Sequence, residues 1–205
     1  MNQLLDLLQD QLTDNVIDQI GKKIGENDQQ KTAQATQNAL SALMAGLANN
    51  TKKPQGAASL MNALDNDHDG SVLDNVMDML QGNQQATSQR AVNGAGILKH
   101  ILGDQKEQVA TQLASKSQVD SNAMGSIMEM LAPMVMGALG KQKKKSGLDV
   151  GDLISMINSG SAQQAKKSGT MDVLSRMLDQ DGDGSATDDI LNMGMKMLGG
   201  FFKKK

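Results

Sequence analysis

Residues 4–24 read LLDLLQDQLTDNVIDQIGKKI, and this stretch decides the fold class. Its apolar residues recur at steps of three and four positions, in two runs between which Thr13 is a candidate helix cap. The residues are Leu4, Leu5, Leu7, Leu8 and Leu12, followed by Val16, Ile17, Ile20 and Ile24. This period predicts two helices, each with one buried face.

The same spacing recurs along the rest of the chain, and nothing alternates as a strand would. The further runs span 40–47, 60–64, 72–80, 97–102, 109–113, 127–139 and 190–198. Loops are expected at 52–56, 141–147 and 159–169, where Pro, Gly, Ser or clustered Lys interrupt the pattern. The sequence therefore predicts an all-α protein.

The chain also repeats itself. ALMAGLANNTKKPQG (42–56) aligns with PMVMGALGKQKKKSG (133–147), so that Gly46 pairs with Gly137 and Gly56 with Gly147, 91 positions apart in both cases. An internal repeat of this kind predicts a helical array built from two related units. We assign residues 1–85 to the first unit, with a loop at 65–76. Residues 86–205 form the second, with an insertion at about 153–175 and a loop at 179–190.

Each predicted unit contains an EF-hand-like, Asp-rich loop between helices. DNDHDGSVLD (65–74) and DQDGDGSATD (179–188) share the pattern D-x-D-x-D-G-S. Carboxylates at loop positions 1, 3 and 5 converge on one cation, glycine at position 6 permits the sharp turn, and position 7 offers a backbone carbonyl. The predicted Ca²⁺ ligands are Asp65, Asp67, Asp69, Ser71 and Asp74 in the first loop, and Asp179, Asp181, Asp183, Ser185 and Asp188 in the second.

Both loops depart from the EF-hand pattern at position 12. Val76 and Ile190 stand where a bidentate Glu is expected. Asp74 and Asp188, at position 10, are the substitutes we favour, with Asp189 as a further candidate in the second loop. The alternative is that Asp74 and Asp188 cap the following helix. Loss of the bidentate ligand predicts a Kd of about 10⁻⁶ to 10⁻³ M for calcium.

Composition argues against several function classes. The chain has 205 residues and no cysteine, which removes disulfides and thiolate chemistry. A formal net charge of −3 disfavours a dedicated nucleic-acid binder. His68 and His100 are the only imidazoles, and we expect neither to be catalytic. Because no nucleophile elbow or zinc-binding helix motif occurs, we expect a protein that is not an enzyme.

Localisation is expected to be cytoplasmic. MNQLLDLLQDQL carries acidic residues and lacks the pattern of a secretion signal. The apolar stretch 127–139 is shorter than the roughly 20 residues that a bilayer span needs. The tail 195–205 joins Phe201 and Phe202 to three terminal lysines. A solvated tail is the interpretation we favour, and contact with an anionic membrane is the alternative.

Several segments together resemble a known bacterial family. They are ALSALMAGLANN (39–50), GAASLMNALDNDHDGSVLDNV (56–76), GILKHILG (96–103), MLAPMVMGALGK (130–141) and DQDGDGSATDDI (179–190). In these segments the chain resembles the family known as domain of unknown function 937, over nearly its whole length. The resemblance implies a mostly helical bacterial protein with a D-x-D-x-D-G-S loop, and it implies no activity or catalytic residue.

The leading hypothesis is a calcium-binding helical protein. Calcium would tie each loop between its flanking helices, fix how those helices pack, and so present a surface for a protein partner or for self-association. The alternative is a metal-independent helical scaffold or self-associating interaction protein, in which the Asp loops are polar turns. A hydrolase that uses loop-bound metal is a third and weaker interpretation.

Overall fold

The computed structural model describes residues 3–83 and 88–170 of the chain. Within these two ranges the protein is helical and has no strand, as the periodicity predicts. Two short 3₁₀ helices, Ser71–Asn75 and Gly103–Gln105, accompany the α-helices. The α-helices are α1 Gln3–Gln11, α2 Asp14–Ile24, α3 Gln29–Asn50, α4 Pro54–Asn66, α5 Val76–Gln81, α6 Gly94–Leu102, α7 Lys106–Ser117, α8 Ser121–Ser146 and α9 Val150–Ser168.

The first two helices form as the opening stretch predicts. Leu4, Leu5 and Leu8 of α1 are buried, as are Val16 and Ile20 of α2. Thr13 is the N-cap of α2, and its hydroxyl accepts a hydrogen bond from the Val16 amide at 3.4 Å. The predicted cap is therefore confirmed.

Helices α3 and α8 form the centre of the core. Burial is continuous from Asn38 to Ala48 in α3 and from Leu131 to Gly140 in α8. A helix that is buried on every side must be surrounded by others, and α3 contacts α2, α6, α7, α8 and α9. Methionines fill part of this core, as expected of flexible, unbranched side chains. They include Met44, Met124, Met128, Met134 and Met136.

The expected loop at 141–147 is wrong, because α8 continues to Ser146. Lysine is a good helix former, and Lys143, Lys144 and Lys145 lie in the last turn, where the helix dipole favours cations. The helix ends at Gly147, which has φ 60° and donates its amide hydrogen to the Lys143 carbonyl. The lysines therefore form a helical end and not a connection.

The expected loop at 159–169 is also wrong, because α9 runs through it to Ser168. Its small and polar residues pack against α3. Ser41 Oγ lies 2.7 Å from Ser168 Oγ, and Gln164 Nε2 donates to Gln37 Oε1 at 2.8 Å. Buried hydrogen bonds and close packing outweigh the weak helix propensity of the Ser and Gly residues.

Helix α8 is the one described helix that is long and apolar enough to cross a membrane. In its most apolar window, however, 72% of the residues are buried inside the protein. Pro133 lies inside this helix without ending it. The burial is that of a core helix.

The predicted repeat has a counterpart in the helix bounds. Helices α1 and α6 begin 91 positions apart and also end 91 positions apart. One hydrophobic core, however, includes Leu4 and Leu43 together with Leu113 and Leu139, so both predicted units contribute to it. The division into two units stays a prediction.

Gly140 of α8 lies directly against the chain segment that follows α4. A Cβ atom at Gly140 would overlap the backbone carbonyl oxygen of His68. Glycine lets the two backbones touch, which no larger residue allows without displacement. The segment around His68 is therefore held directly against α8.

We predict that Gly140→Ala lowers the free energy of unfolding by about 1–3 kcal/mol, because the new methyl group must displace the His68 carbonyl. Gly125→Ala is the matched control on the same helix, since no heavy atom lies within 4 Å of its added Cβ. It should be neutral or stabilising by up to about 1 kcal/mol. Urea unfolding followed by far-UV circular dichroism measures both. Equal stability of Gly140→Ala and wild type would contradict the close contact.

Candidate functional site: an acidic loop docked on helix α8

The first Asp-rich loop connects α4 to α5 through a tight turn. Helix α4 ends at Asn66, and Gly70 adopts φ 97° and ψ −8°, a left-handed conformation that suits glycine. Asp69 Oδ1 accepts a hydrogen bond from the Ser71 amide at 3.0 Å, and the 3₁₀ helix follows. Position 6 of the predicted cation loop therefore makes the sharp turn that an EF-hand loop requires.

The loop lies along one face of α8. His68 contacts Gly140, and Val72 and Leu73 pack at about 3.5 Å from the Cβ position of Gly137. Gly70 lies against Lys141. Residues 137, 140, 141 and 144 share one helical face at steps of three and four. Two glycines on this face make room for the loop, and two lysines flank its carboxylates.

Four loop carboxylates each face a different cation. Three of these cations come from the end of α8, and the fourth is Arg90, which precedes α6. The pairs are Asp65 with Lys143, Asp69 with Lys144 at 3.3 Å, Asp74 with Lys141 at 3.0 Å, and Asp67 with Arg90 at 3.8 Å. The charges of the loop are balanced one for one, and the loop is docked electrostatically as well as by backbone packing.

The loop stabilises Asp69 in its charged form. Hydrogen bonds from the Ser71 hydroxyl and the Ser71 amide, followed by the Lys144 ammonium, lower the pKa of Asp69 from 3.8 to about 2. Hydrogen bonds to a carboxylate favour its ionised form. Asp69 therefore stays charged at any pH near neutrality.

The carboxylates fit a calcium ion in type and spacing but do not converge on one point. Among residues 3–83 and 88–170, no three His, Cys, Asp or Glu side chains stand close enough to hold a metal. Asp65, Asp69 and Asp74 are more than half exposed and turn toward lysines. To bind a cation, they would have to leave those lysines and turn toward the middle of the loop.

Asp74 is not the N-cap of α5. A capping role is the alternative to its role as a metal ligand. The N-cap of α5 is Asn75, which makes no side-chain capping bond, and the Asp74 carboxylate accepts from Lys141 instead. The five predicted ligands of the second loop, from Asp179 to Asp188, lie outside the described residues. The helical run 190–198 and the tail lie outside them as well.

His68, at loop position 4, is 5% exposed. Burial lowers the pKa of His68 below its ordinary value of 6.5, and the charge of Asp67 offsets this only in part. The imidazole is therefore neutral at pH 7. Its Nδ1 is buried and has no hydrogen-bond partner among the described residues.

The lysines and Arg90 are the site residues that sequence reasoning missed. The sequence pattern of 141–145 indicates a turn between helices, whereas Lys141, Lys143 and Lys144 pair with carboxylates of the loop. The sequence does contain a signal for this role, because Gly137, Gly140, Lys141 and Lys144 recur at steps of three and four positions. This spacing places two small and two basic residues on one face of a helix.

Over its described residues, the fold and site define a helical protein with an acidic loop docked on a core helix. The model of a family described as bacterial protein of unknown function (DUF937) matches residues 6–142. The match spans more than half of the chain and includes the first loop, so the chain belongs to the DUF937 family. Neither the curated proteins nor the solved structures give a significant match.

We predict a specific loss of stability in acid from the Asp69 carboxylate. Its folded-state pKa of about 2 lies below the unfolded value of 3.8, so the charged group stabilises the fold above pH 3.8. This contribution is lost as the pH falls from 3.8 to about 2. The difference in the free energy of unfolding between wild type and Asp69→Asn should be constant near neutrality and should decrease as the pH falls from 3.8 to about 2. Urea midpoints measured at each pH test this, and a difference independent of pH would contradict it.

Proposed function

We propose that this chain is a calcium-binding helical protein in which Ca²⁺ and the lysines of α8 compete for the loop 65–76. The observation that carries the proposal is the turn at Gly70, which has the left-handed conformation at the position where a D-x-D-x-D-G loop requires it. Calcium would then tie the end of α4 to α5 and fix the packing of these helices. The loop 179–190, with the same pattern, is proposed as a second site.

Over most of the predicted affinity range, the binding free energy of calcium exceeds that of the four ion pairs. Each of the four pairs has at least one partner that is more than half exposed, and a pair of this kind contributes about 0–1 kcal/mol, or about 4 kcal/mol at most for all four together. A Kd of about 10⁻³ to 10⁻⁶ M corresponds to about −4 to −8 kcal/mol. Calcium at the predicted affinity would therefore release the lysines at concentrations above its Kd.

Release of the lysines is how calcium would present an interaction surface. Among the described residues, Val150 is the only large hydrophobic side chain that is exposed. A partner for this part of the chain would therefore recognise charge and not an apolar patch. With calcium bound, the end of α8 would carry unpaired ammonium groups, which suit an acidic segment of another protein or of a second copy.

The second candidate function is a metal-independent helical scaffold. The specific observation in its favour is the one-for-one pairing of the loop carboxylates with Lys141, Lys143, Lys144 and Arg90. This pairing relieves the repulsion between carboxylates without an ion. In such a scaffold the loop would simply fasten α4 and α5 to α8.

Isothermal titration calorimetry with calcium and with magnesium separates the two candidates. In an Asp181→Asn background, which disables the second loop, calcium should bind with a Kd of about 10⁻⁶ to 10⁻³ M, and magnesium should bind more weakly. Adding Asp67→Asn should weaken calcium binding at least about tenfold, because one ligand charge is removed. Asp78→Asn, an exposed position in α5 outside the loop, is the matched control and should change nothing.

Lys144→Gln tests the competition itself. Since Lys144 holds Asp69 in the ion-free form, its removal should tighten calcium binding, by up to about fivefold for a pair worth about 1 kcal/mol. Unchanged affinity in Lys144→Gln would contradict competition while leaving calcium binding intact. If calcium binds to none of these proteins, the metal proposal fails and the scaffold remains.

A further inference from the structure

Packings between helices occur in matching pairs within the described part of the chain. Helix α1 packs on α8 as α6 packs on α3, α2 packs on α8 as α7 packs on α3, and α4 packs on α8 as α9 packs on α3. The offset of the sequence repeat, 91 positions, relates α1 to α6, α2 to α7 and α3 to α8, and α9 follows α8 as α4 follows α3. The two central helices are therefore surrounded in corresponding ways.

The lysines that hold the first loop have counterparts at the end of α3. Lys143 and Lys144 pair with two carboxylates of that loop. The sequence repeat aligns them with Lys52 and Lys53, which directly follow α3. Both of these lysines are exposed, and neither belongs to an ion pair among the described residues. Within that part of the chain, the end of α3 has two cations and no carboxylate paired with them.

Helix α9 runs beside α3 in the same direction and so leads toward these lysines. Gln164 bonds to Gln37, and one turn further along both helices Ser168 bonds to Ser41. From Ser41 to the end of α3 at Asn50 is about 14 Å of helix. The ten residues between Ser168 and the second Asp-rich loop span up to about 35 Å when extended. The second loop can therefore reach the end of α3.

The first turn of α4 also favours a carboxylate at this end of α3. Lys53 is the N-cap of α4, and its side chain makes no capping bond. The start of a helix attracts negative charge, because its first amides have no acceptor within the helix. A carboxylate beside Lys53 is therefore stabilised by the lysine and by the helix together.

We propose that the end of α3, at Lys52 and Lys53, is the docking surface for this chain's own second Asp-rich loop. Asp179 and Asp183 occupy loop positions 1 and 5, the positions that pair with Lys143 and Lys144 in the first loop. Asp179 therefore pairs with Lys52, and position 5 pairs with the next lysine. Each central helix then holds one acidic loop at its C-terminal end. This docking does not require that either loop binds calcium.

Carbodiimide cross-linking followed by peptide mass spectrometry tests the docking on the full chain in chelator. The reagent joins a carboxylate directly to a lysine that is in contact with it. It should join the second loop to Lys52 or Lys53, and the first loop to Lys143, which is the positive control. Lys22 and Lys23, an exposed pair at the end of α2, should stay unlinked to the second loop. An equal mixture of unlabelled and ¹⁵N-labelled chains shows whether a cross-link lies within one chain.

A distance measurement keeps the test decisive if the reagent links neither loop. Nitroxide labels on cysteines introduced at the exposed Gln55 and at Ala186 should give one narrow distribution by dipolar electron paramagnetic resonance. Lys52→Gln with Lys53→Gln should broaden it, whereas the same change in the two control lysines of α2 should leave it narrow. The proposal is overturned if only the first loop is cross-linked, or if the second loop is linked only between chains. A distribution that is broad with both lysines present, or that their removal does not alter, overturns it as well.

Discussion

The contact between Gly140 and the His68 backbone is the constraint on which the other features of the site depend. It brings the loop after α4 onto the face of α8, and so places Asp69 and Asp74 beside Lys144 and Lys141. The same segment places His68 among the residues that line a cavity between α3, α4 and α6. One close approach of two backbones therefore positions the acidic loop beside the lysines of α8.

The negative charge of the loop carboxylates can be balanced in two ways. A D-x-D-x-D-G turn concentrates negative charge, and that charge must be balanced by a cation in the loop or by cations around it. In this chain the surrounding cations are available, because α8 continues far enough to place three lysines beside the loop. At least one partner of each pair is more than half exposed, which keeps the pair weak.

Much of the fold could be predicted from local patterns. The apolar period gave the helices, Thr13 marked the start of α2, and the position of Gly70 in the motif predicted the turn. The loops expected at 141–147 and 159–169 failed because tertiary contacts decide those segments. Lys143 and Asp65 are 78 positions apart, and Ser41 and Ser168 are 127 apart, so no local pattern reveals that they meet. The partners of the loop could not be predicted for the same reason.

The central claim is that the loop 65–74 is docked on the end of α8 in the absence of calcium. Dipolar electron paramagnetic resonance tests it most directly, with nitroxide labels on cysteines introduced at the exposed positions Asn66 and Lys145. The chain has no native cysteine, so the labels are unique. In chelator the account predicts one narrow distance distribution, which should widen in Gly140→Ala and stay narrow in Gly125→Ala. A broad distribution in the wild-type background, unchanged by Gly140→Ala, would contradict docking.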